Sequence, residues 1–504
     1  MAVYEERPPR PAFSIYKRAA LGALAILLAT AGAVSTAVLL QVKEVVDIYN
    51  QVRHPIPHIK GVLDDVPAGK PQTIMLLGSD RRYVQIKTKD PVRSDTIMLL
   101  RLDPSKGATA VMSIPRDLKV TLPGHSVPQK INDAYSEGGP ALTVRVVRQL
   151  LGIPINHVVN VNFGGFRGVV NRLKCVYVDI DRRYYHSNEG LAPGQQYAEI
   201  NIPAGYQKLC GQKALDYVRY RHGDNDFIRS ARQQDFLRQA KEQISLGQLF
   251  GDRKELVRIF GTYTDADISS NTAILRLLKL AFESAKNPIQ QIPFRAGEEN
   301  TENADYVVAS PEQIRRTVED FLNVQAPKKR AKPKSTSTDR KRARRQRRRA
   351  TTAYPGLFNA ARAAEDQAVK LQLGHKVPFP IYYPKFAKLG SSYVSDPDTP
   401  RTYTIRDRSD KPYKAYRMVV QAPGFGQYYG IQGTNWMSPP IIDNPDEERR
   451  MRGRTYEVFY DGRSIRLVAW RTPRAVYWVS NTLSESLTNK QMLGIARSLS
   501  RIGA

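Results

Sequence analysis

The stretch TIMLLGSDRRYVQIKTKDPVRSDTIMLLRLDPSKGATAVMSIPRD, residues 73–117, holds three apolar runs of strand length separated by turn-forming residues. TIMLLGSD (73–80) reads as a buried strand ending in a Gly turn, DTIMLLRLDP (95–104) as a second strand and ATAVMSIPRD (108–117) as a third. Helical and extended patterns alternate beyond them: PALTVRVVRQLLG is helical, HVVNVNF extended, GFRGVVNRL helical and VYVDID extended. This alternation predicts an α/β fold, an α-β-α sandwich. The region continues through NTAILRLLKLAFESA and closes with SPEQIRRTVEDFLN, where Ser310 is the expected N-cap, Pro311 takes the first helical position and Glu312 follows in the first turn.

Upstream, residues 19–40 run for 22 positions without a charge, enough for about 30 Å of hydrocarbon at 1.5 Å per residue. A transmembrane helix is expected over 19–41, after a cytoplasmic tail (1–18) carrying Arg7, Arg10, Lys17 and Arg18. Those charges place everything beyond Gln41 outside the plasma membrane. A cleaved signal peptide is the alternative, because Ala29-Thr30-Ala31 has the small-x-small form, but the run is long for one. Residues 42–66 form a juxtamembrane connector that begins with helical spacing and meets Pro55 and Pro57. The α/β domain is expected over 67–326.

Downstream, residues 328–349 hold thirteen Lys or Arg against the single Asp339 and almost nothing apolar, so 327–352 reads as a basic linker unable to bury enough surface to fold. Residues 353–504 form a second folded unit of α+β pattern. It starts with the helical LFNAARAAEDQAVKL, runs through AYRMVVQAP, TYEVFYDG, SIRLVAW and AVYWVSN, and ends with the helical NKQMLGIARSLSRI. Trp436, Trp470 and Trp478 suit either a sugar-stacking surface or, as is commoner for aromatics alternating along strands, a core.

Lys and Arg outnumber Asp and Glu by 77 to 48, a formal charge of +29 that calls for an anionic partner: nucleic acid, lipid phosphate or an acidic polymer. The charged residues sit at the ends of the three predicted strands. Asp80 follows the first, Arg93 and Asp95 open the second, and Arg116 and Asp117 follow the third. Strand-end loops are where open α/β sheets gather ligands, so these five converge if the strands lie side by side. Asp80 and Asp95 would then be paired carboxylates of the kind that hold a hard, hydrated cation such as Mg2+. A further cluster occupies YVRYRHGDNDFIRSARQQDF (217–236). Arg219 and Arg221, two apart, share a face if that segment is an extended strand. Arg229, Arg232 and Gln233 fall in the first turns of a helix starting near Asp226. Guanidinium forks bind phosphate oxygens in pairs, and a pyrophosphate engages several at once. With Lys130 of QKINDAY added, the set reads as a diphosphate clamp; the alternative is a network in which Asp224, Asp226 and Asp235 neutralise the arginines.

Other chemistry finds no support. There is no Gly-x-Ser-x-Gly elbow, Walker loop or His-Glu-x-x-His motif, and GFGQYYG (424–430) misses the dinucleotide spacing. Only Cys175 and Cys210 are present, without Cys-x-x-Cys or zinc spacing; a bridge and two buried thiols are both open readings.

The blocks LLGSDRR, RSDTIMLLRLDP, MSIPRDLKV, KINDAYSEGGP, ALDYVRYRH and DFIRSARQQ, in this order after an apolar N-terminal run, resemble the LytR-CpsA-Psr (LCP) family over about residues 70–326. The resemblance implies an extracytoplasmic phosphotransferase that moves a glycopolymer from a polyprenyl-pyrophosphate carrier to peptidoglycan through a phosphodiester. It implies metal-binding aspartates at Asp80 and Asp95 with Mg2+ or Mn2+. It also implies pyrophosphate-binding residues at Arg93, Arg116, Lys130, Arg219, Arg221, Arg229 and Gln233, with Asp95 or Asp117 taking the acceptor proton. The family's lipid tunnel would be walled here by LTVRVVRQLLG and FRGVVNRLKCVYV. Actinobacterial members similarly carry a cysteine pair, which favours the Cys175–Cys210 bridge and arabinogalactan as the polymer. Two competing readings are a polyprenyl-pyrophosphate pyrophosphatase, which needs the same clamp, and a DNA-binding regulator. The regulator is disfavoured by a domain placed across the membrane from the genome and by the lack of a helix-turn-helix, so no nucleic-acid partner is expected.

Overall fold

Strands buried on both faces read as continuous apolar runs rather than alternating ones, and this is why the three runs of 73–117 become the centre of a sheet. The computed structural model describes residues 43–325 and 355–503 apart from 68, 80–93, 193–195, 197, 222, 246–250, 269, 285–286, 301–304, 375–376, 396–398 and 452. The apolar run 19–41, the linker 327–352, Asp80 and Arg93 lie outside the described residues. Among the described residues no helix is long and apolar enough to cross a membrane.

Among the described residues, the strands and helices that frame the site in the first domain are the following. The strands are β1 (His54–Pro55), β2 (Gln72–Ser79), β3 (Ser94–Asp103), β4 (Ala108–Ile114), β5 (His157–Asn162), β6 (Val176–Ile180), β7 (Gly205–Leu209), β8 (Thr264–Ala266) and β9 (Ile289–Ile292). The helices are α1 (43–52), α2 (Asp133–Leu151), α3 (Phe163–Arg172), α4 (Gly211–Arg219), α5 (Asp226–Gln243), α6 (Arg253–Tyr263), α7 (Asn271–Ser284) and α8 (Pro311–Leu322). Seven strands form one mixed sheet in the order β1-β8-β5-β2-β3-β4-β9. β2, β3 and β4 are successive antiparallel neighbours, whereas β5 joins β2, and β9 joins β4, in parallel.

Strand parity divides the layers. Met75 and Leu77, Ile97 and Leu99, and Met112 and Ile114 bury against Val144 and Val147 of α2 and Phe321 of α8. Leu76, Met98, Leu100 and Val111 face the opposite way, towards Leu237 of α5. The expected sandwich is therefore present, and α8 starts where its sequence indicated. Ser310 caps it and accepts from Gln313 N, while Gln313 returns the bond in a capping box. β6 and β7 form a separate antiparallel pair whose outer edge is covered by α5. Gln243 accepts from Tyr177 N (2.8 Å) and donates to Tyr177 O (2.6 Å), and Gln239 accepts from Asp179 N (3.2 Å), so side-chain amides replace a missing strand. Cys175 and Cys210 are bridged.

The second domain is an eight-stranded sheet backed by helices α9 (Ala361–Leu373) and α10 (Asn489–Arg497). Two expected helices are shorter than read: Leu357–Asn359 pairs as a strand with Phe386–Lys388, and Leu499–Arg501 with Tyr382–Pro384. The tryptophans are core: Trp436, Trp470 and Trp478 are all buried, Trp470 stacks on Tyr477, and none offers a face for a sugar.

The two domains share a buried seam. Tyr177 and Tyr206 of the first pack with Trp436, Trp478, Phe459 and Leu467 of the second. Arg417 Nη1 meets Asp179 Oδ1 at 2.9 Å with both side chains enclosed, and Trp478 Nε1 donates to Asp179 Oδ2 (3.4 Å). Replacing Asp179 by Ala leaves the Arg417 guanidinium buried and uncompensated. Such a break is expected to cost about 3–5 kcal/mol in equilibrium unfolding, while Asp179→Leu combined with Arg417→Met should recover most of it, because a well-packed apolar pair avoids the desolvation penalty.

Candidate functional site

The sheet topology gathers the strand ends at one edge. β2 and β5 run parallel, and Ser79 pairs with Asn162. β3 starts at Ser94, opposite Ser79, and β4 ends at Ile114, opposite Ile97. The ends of the strands that adjoin Asp95, Arg116 and Asp117 therefore lie side by side. Between β2 and β3 the register passes from Gly78–Thr96 to Ser79–Ser94, so Asp95 is the extra residue of a β-bulge. Bulges of this kind commonly re-aim backbone at functional edges. Asp80, which with Asp95 is the pair expected to hold a hard divalent cation, lies outside the described residues.

Beyond β4 the chain turns so that Asp117 lies between two cations. Arg116 Nε is 3.4 Å from Asp117 Oδ2, and Lys130 Nζ is 3.1 Å from Asp117 Oδ1. Lys130 is brought there by a two-residue ladder with Lys119–Val120. Arg116 also meets Asp226 Oδ1 at 3.5 Å, Asp226 meets Arg229 Nη2 at 2.8 Å, and Asp117 N donates to Asp226 Oδ2 (3.3 Å). Burial works to raise the Asp117 pKa, but Arg116, Lys130 and Arg229 outweigh it and hold the carboxyl below its usual range. Asp226 was expected near the cap of α5; the cap itself is Asn225, whose side chain accepts from Ile228 N (3.0 Å), which leaves Asp226 free to link Arg116 to Arg229.

Behind this cluster a cavity of about 530 Å3 opens between the sheet, α3, α4 and α5. Its walls are almost wholly apolar, including Leu76, Met98, Phe166, Val170, Val218 and Phe236. Arg219, Arg221, Arg229 and Gln233 line the same cavity. Gln233 Nε2 donates to Thr96 Oγ1 (3.0 Å) and Val218 O (3.1 Å), tying β3 to α4 at the polar end.

Three expectations need correction. Arg219 and Arg221 are not on a strand: Arg219 is the last residue of α4, whose buried Ala214, Leu215 and Tyr217 have helical spacing. Tyr220 then takes extended angles and is itself buried, so the arginines on either side of it still reach one cavity. The helix LTVRVVRQLLG is not a cavity wall. It belongs to α2 and packs on the other face of the sheet, against the odd-numbered residues of β2 and β3, whereas the segment FRGVVNRLKCVYV does line the cavity. Arg232 is wholly buried and paired with Asp224, which also takes Arg182 at 2.5 Å, so it belongs to the neutralising network. The network reading also holds in part elsewhere, with Arg238 on Asp235 away from the cavity and Arg219 on Asp216 (2.8 Å), although Arg219 still lines the cavity.

Sequence reasoning did not single out Phe163, Asp216 or Arg182. Phe163 opens α3 directly after β5, and its ring lies 5.4 Å from the Arg219 guanidinium. Asp216, one helical turn before Arg219, has a spacing that could have revealed it. Arg182 has no such signal, since its partner Asp224 is 42 residues away.

The chain is similar to several known proteins. Over 181 residues it is 33% identical to the polyisoprenyl-teichoic acid–peptidoglycan teichoic acid transferase TagT of Bacillus subtilis (strain 168), a match covering 36% of this chain and 54% of TagT. Over 219 residues it is 31% identical to the transferase TagU of Bacillus anthracis (strain CDC 684 / NRRL 3495), covering 43% of this chain and 67% of TagU. With TagT the match thus spans about half of the relative's length. Among solved structures, B. subtilis TagV aligns at 25% identity with a TM-score of 0.40, covering 52% of this chain and all of TagV. The model of the LytR_cpsA_psr family matches residues 37–321, more than half of the sequence, and the chain belongs to that family.

Proposed function

We propose that this protein transfers a glycopolymer from a polyprenyl-pyrophosphate carrier to peptidoglycan. The observation that carries the reading is the junction of an apolar cavity of about 530 Å3 with Arg219, Arg221 and Arg229, because it matches an amphiphile with a long hydrocarbon tail and a dianionic head. The names of TagT and TagU, transferases of teichoic acid from a polyisoprenyl carrier to peptidoglycan, support the same class. Arabinogalactan as the polymer is the finer form of the proposal, supported by the cysteine pair alone. The 19–41 run would anchor the chain in the plasma membrane with both folded domains outside. Its positive charge would then serve anionic lipid and wall polymer rather than nucleic acid.

In this reading the arginines grip the diphosphate oxygens and the cavity holds the tail, so the reacting phosphorus is fixed at the strand-end edge. A peptidoglycan hydroxyl attacks the phosphorus bearing the sugar. The new phosphodiester forms, the bond to the bridging oxygen breaks, and polyprenyl phosphate leaves with the electron pair. Asp80 and Asp95 would hold Mg2+ or Mn2+, whose charge would help neutralise the diphosphate. Of the two carboxylates considered for the hydroxyl proton, Asp117 is a weak base because Arg116 and Lys130 stabilise its charge. It fits better as the group that orients those cations, and the acceptor proton passes to Asp95 or to solvent.

The test supplies a polyprenyl-pyrophosphate-linked glycan with and without peptidoglycan and measures covalent wall adduct. Arg219→Ala and Arg221→Ala are each expected to lower transfer by about 10²–10³-fold, the scale for removing one transition-state donor, with unchanged thermal melting. Near-normal transfer in both would remove them from the site, and phosphate release without adduct would identify a pyrophosphatase.

The lowered Asp117 pKa has its own consequence. A depressed carboxyl contributes stability above its unfolded pKa of about 3.9 and loses it as pH falls through the folded value. Unfolding free energies of the wild type and Asp117→Asn should therefore differ by a constant amount from about pH 8 down to about pH 5 and converge only below that. Convergence already near pH 6–7 would show that Asp117 is not held low.

A further inference from the structure

α5 meets the cavity along one stripe. Arg229, Gln233, Leu237, Lys241 and Ile244 follow one another at three- and four-residue intervals, and all five line it. The stripe starts at the arginines and ends with Lys241 and Ile244, where Leu173 and Val176 approach from the neighbouring wall. Lys241 is out of keeping with this apolar end. Its Nζ is enclosed and has no hydrogen-bond partner. Burial pushes its pKa down to about 8, and only Glu242, which is engaged by Arg238 and Arg466, offsets part of that. An enclosed ammonium without a partner is costly, and an unbranched apolar residue would line the same wall without the penalty.

The distance gives the anomaly a meaning. Twelve residues separate Arg229 from Lys241, about 18 Å at 1.5 Å per residue. α3 runs beside it from Phe163 to Leu173, about 15 Å. An isoprene unit advances a chain by four carbon–carbon bonds of about 1.5 Å, roughly 5 Å when extended, so the span accommodates about four units.

We propose that Lys241 is the inner stop of the lipid channel, so that the domain reads about the first four isoprene units next to the pyrophosphate and gains nothing from those beyond. The inference rests on the carrier-lipid reading of the cavity. It names the part of the carrier that is recognised and the residue that sets the limit. An apolar chain reaching the ammonium would have to displace it or pass it without solvation, and either cancels what burial of further hydrocarbon adds.

The test uses the full chain in detergent and prenyl monophosphates of two, four, six and ten isoprene units, measuring displacement of a fluorescent prenyl phosphate. For the wild type, affinity should rise by about tenfold or more from two to four units and by less than about threefold from four to ten. In Lys241→Met and Lys241→Leu the break should move to six units or beyond, with at least about tenfold tighter binding of the six-unit ligand and melting temperatures at or above the wild type. A wild-type gain that continues evenly beyond four units, or length profiles that coincide between the wild type and folded variants, overturns the role of Lys241 but leaves the channel standing. Binding of no prenyl phosphate at any length overturns the carrier-lipid reading together with it.

Discussion

The structure depends on α5 being buried on two sides at once. Its sequence, DFIRSARQQDFLRQAKEQ, is polar almost all round, a pattern that an isolated surface helix would simply solvate. Here each polar side is used. The stripe from Arg229 through Gln233 lines the cavity and its mouth, while Asp235, Arg238, Gln239 and Glu242 face β6 and the second domain. Arg238 pairs with Asp235 and Glu242 along the helix and approaches Asp461 of the second domain at 3.7 Å; Arg466 from that domain reaches Glu242 at 3.3 Å. The helix that carries Arg229 and Gln233 is thus held from behind by the accessory domain, which gives that domain a mechanical relation to the cavity.

The same network shows why pairing with acids and gripping a phosphate are compatible. A guanidinium has five N–H donors, and a single carboxylate uses only some of them. Asp216 holds Arg219, and Asp226 holds both Arg229 and Arg116, so these long side chains are already ordered and less entropy is lost when an anion meets them. Clamp and neutralising network were opposed as readings of the sequence, yet cavity lining and network overlap at Arg219 and Arg229, which line the cavity while paired with Asp216 and Asp226. Arg232, wholly buried on Asp224, belongs to the network alone, while Arg219, Arg221 and Arg229 line the cavity.

The parts of this that were legible share one property: they depend on local pattern. The continuous apolar runs of β2, β3 and β4 marked a central sheet, and the Ser310-Pro311 start of α8 was readable because caps are local. The strand-end position of Arg116 and Asp117 followed from the same runs. What was not legible depended on parity or distance. Whether α2 or α3 walls the cavity is decided by which face of the sheet each covers, a choice that one-residue alternation in the strands allows but does not announce. Arg219 and Arg221 sit where a helix ends, and a two-residue spacing is silent about that boundary. The seam between the domains could not be read at all: Asp179 and Arg417 are 238 positions apart, and each looks like an ordinary surface charge until the other covers it.

One covalent constraint ties these features together. The Cys175–Cys210 bridge joins the start of β6, beside cavity-lining Leu173 and Val176, to the residue that precedes α4. With a sequence separation of 35, the bridge restricts the unfolded chain and contributes about 3–4 kcal/mol on a loop-entropy basis. Its position matters as much as that sum. At Gly211, φ is +28° and the Asn171 side-chain amide of α3 lies 2.8 Å from where a Cβ would stand, so the start of α4 packs against α3 there. α4 then runs nine residues to Arg219 at the polar end. Bridge and close contact therefore fix the inner end of the cavity, α4 carries that fixed point to the arginines, and α5 runs alongside over the same span. The separation between the arginine end of the cavity and its inner wall is consequently set by two helices, one anchored by a disulfide and the other by the accessory domain, rather than by the loops at the mouth.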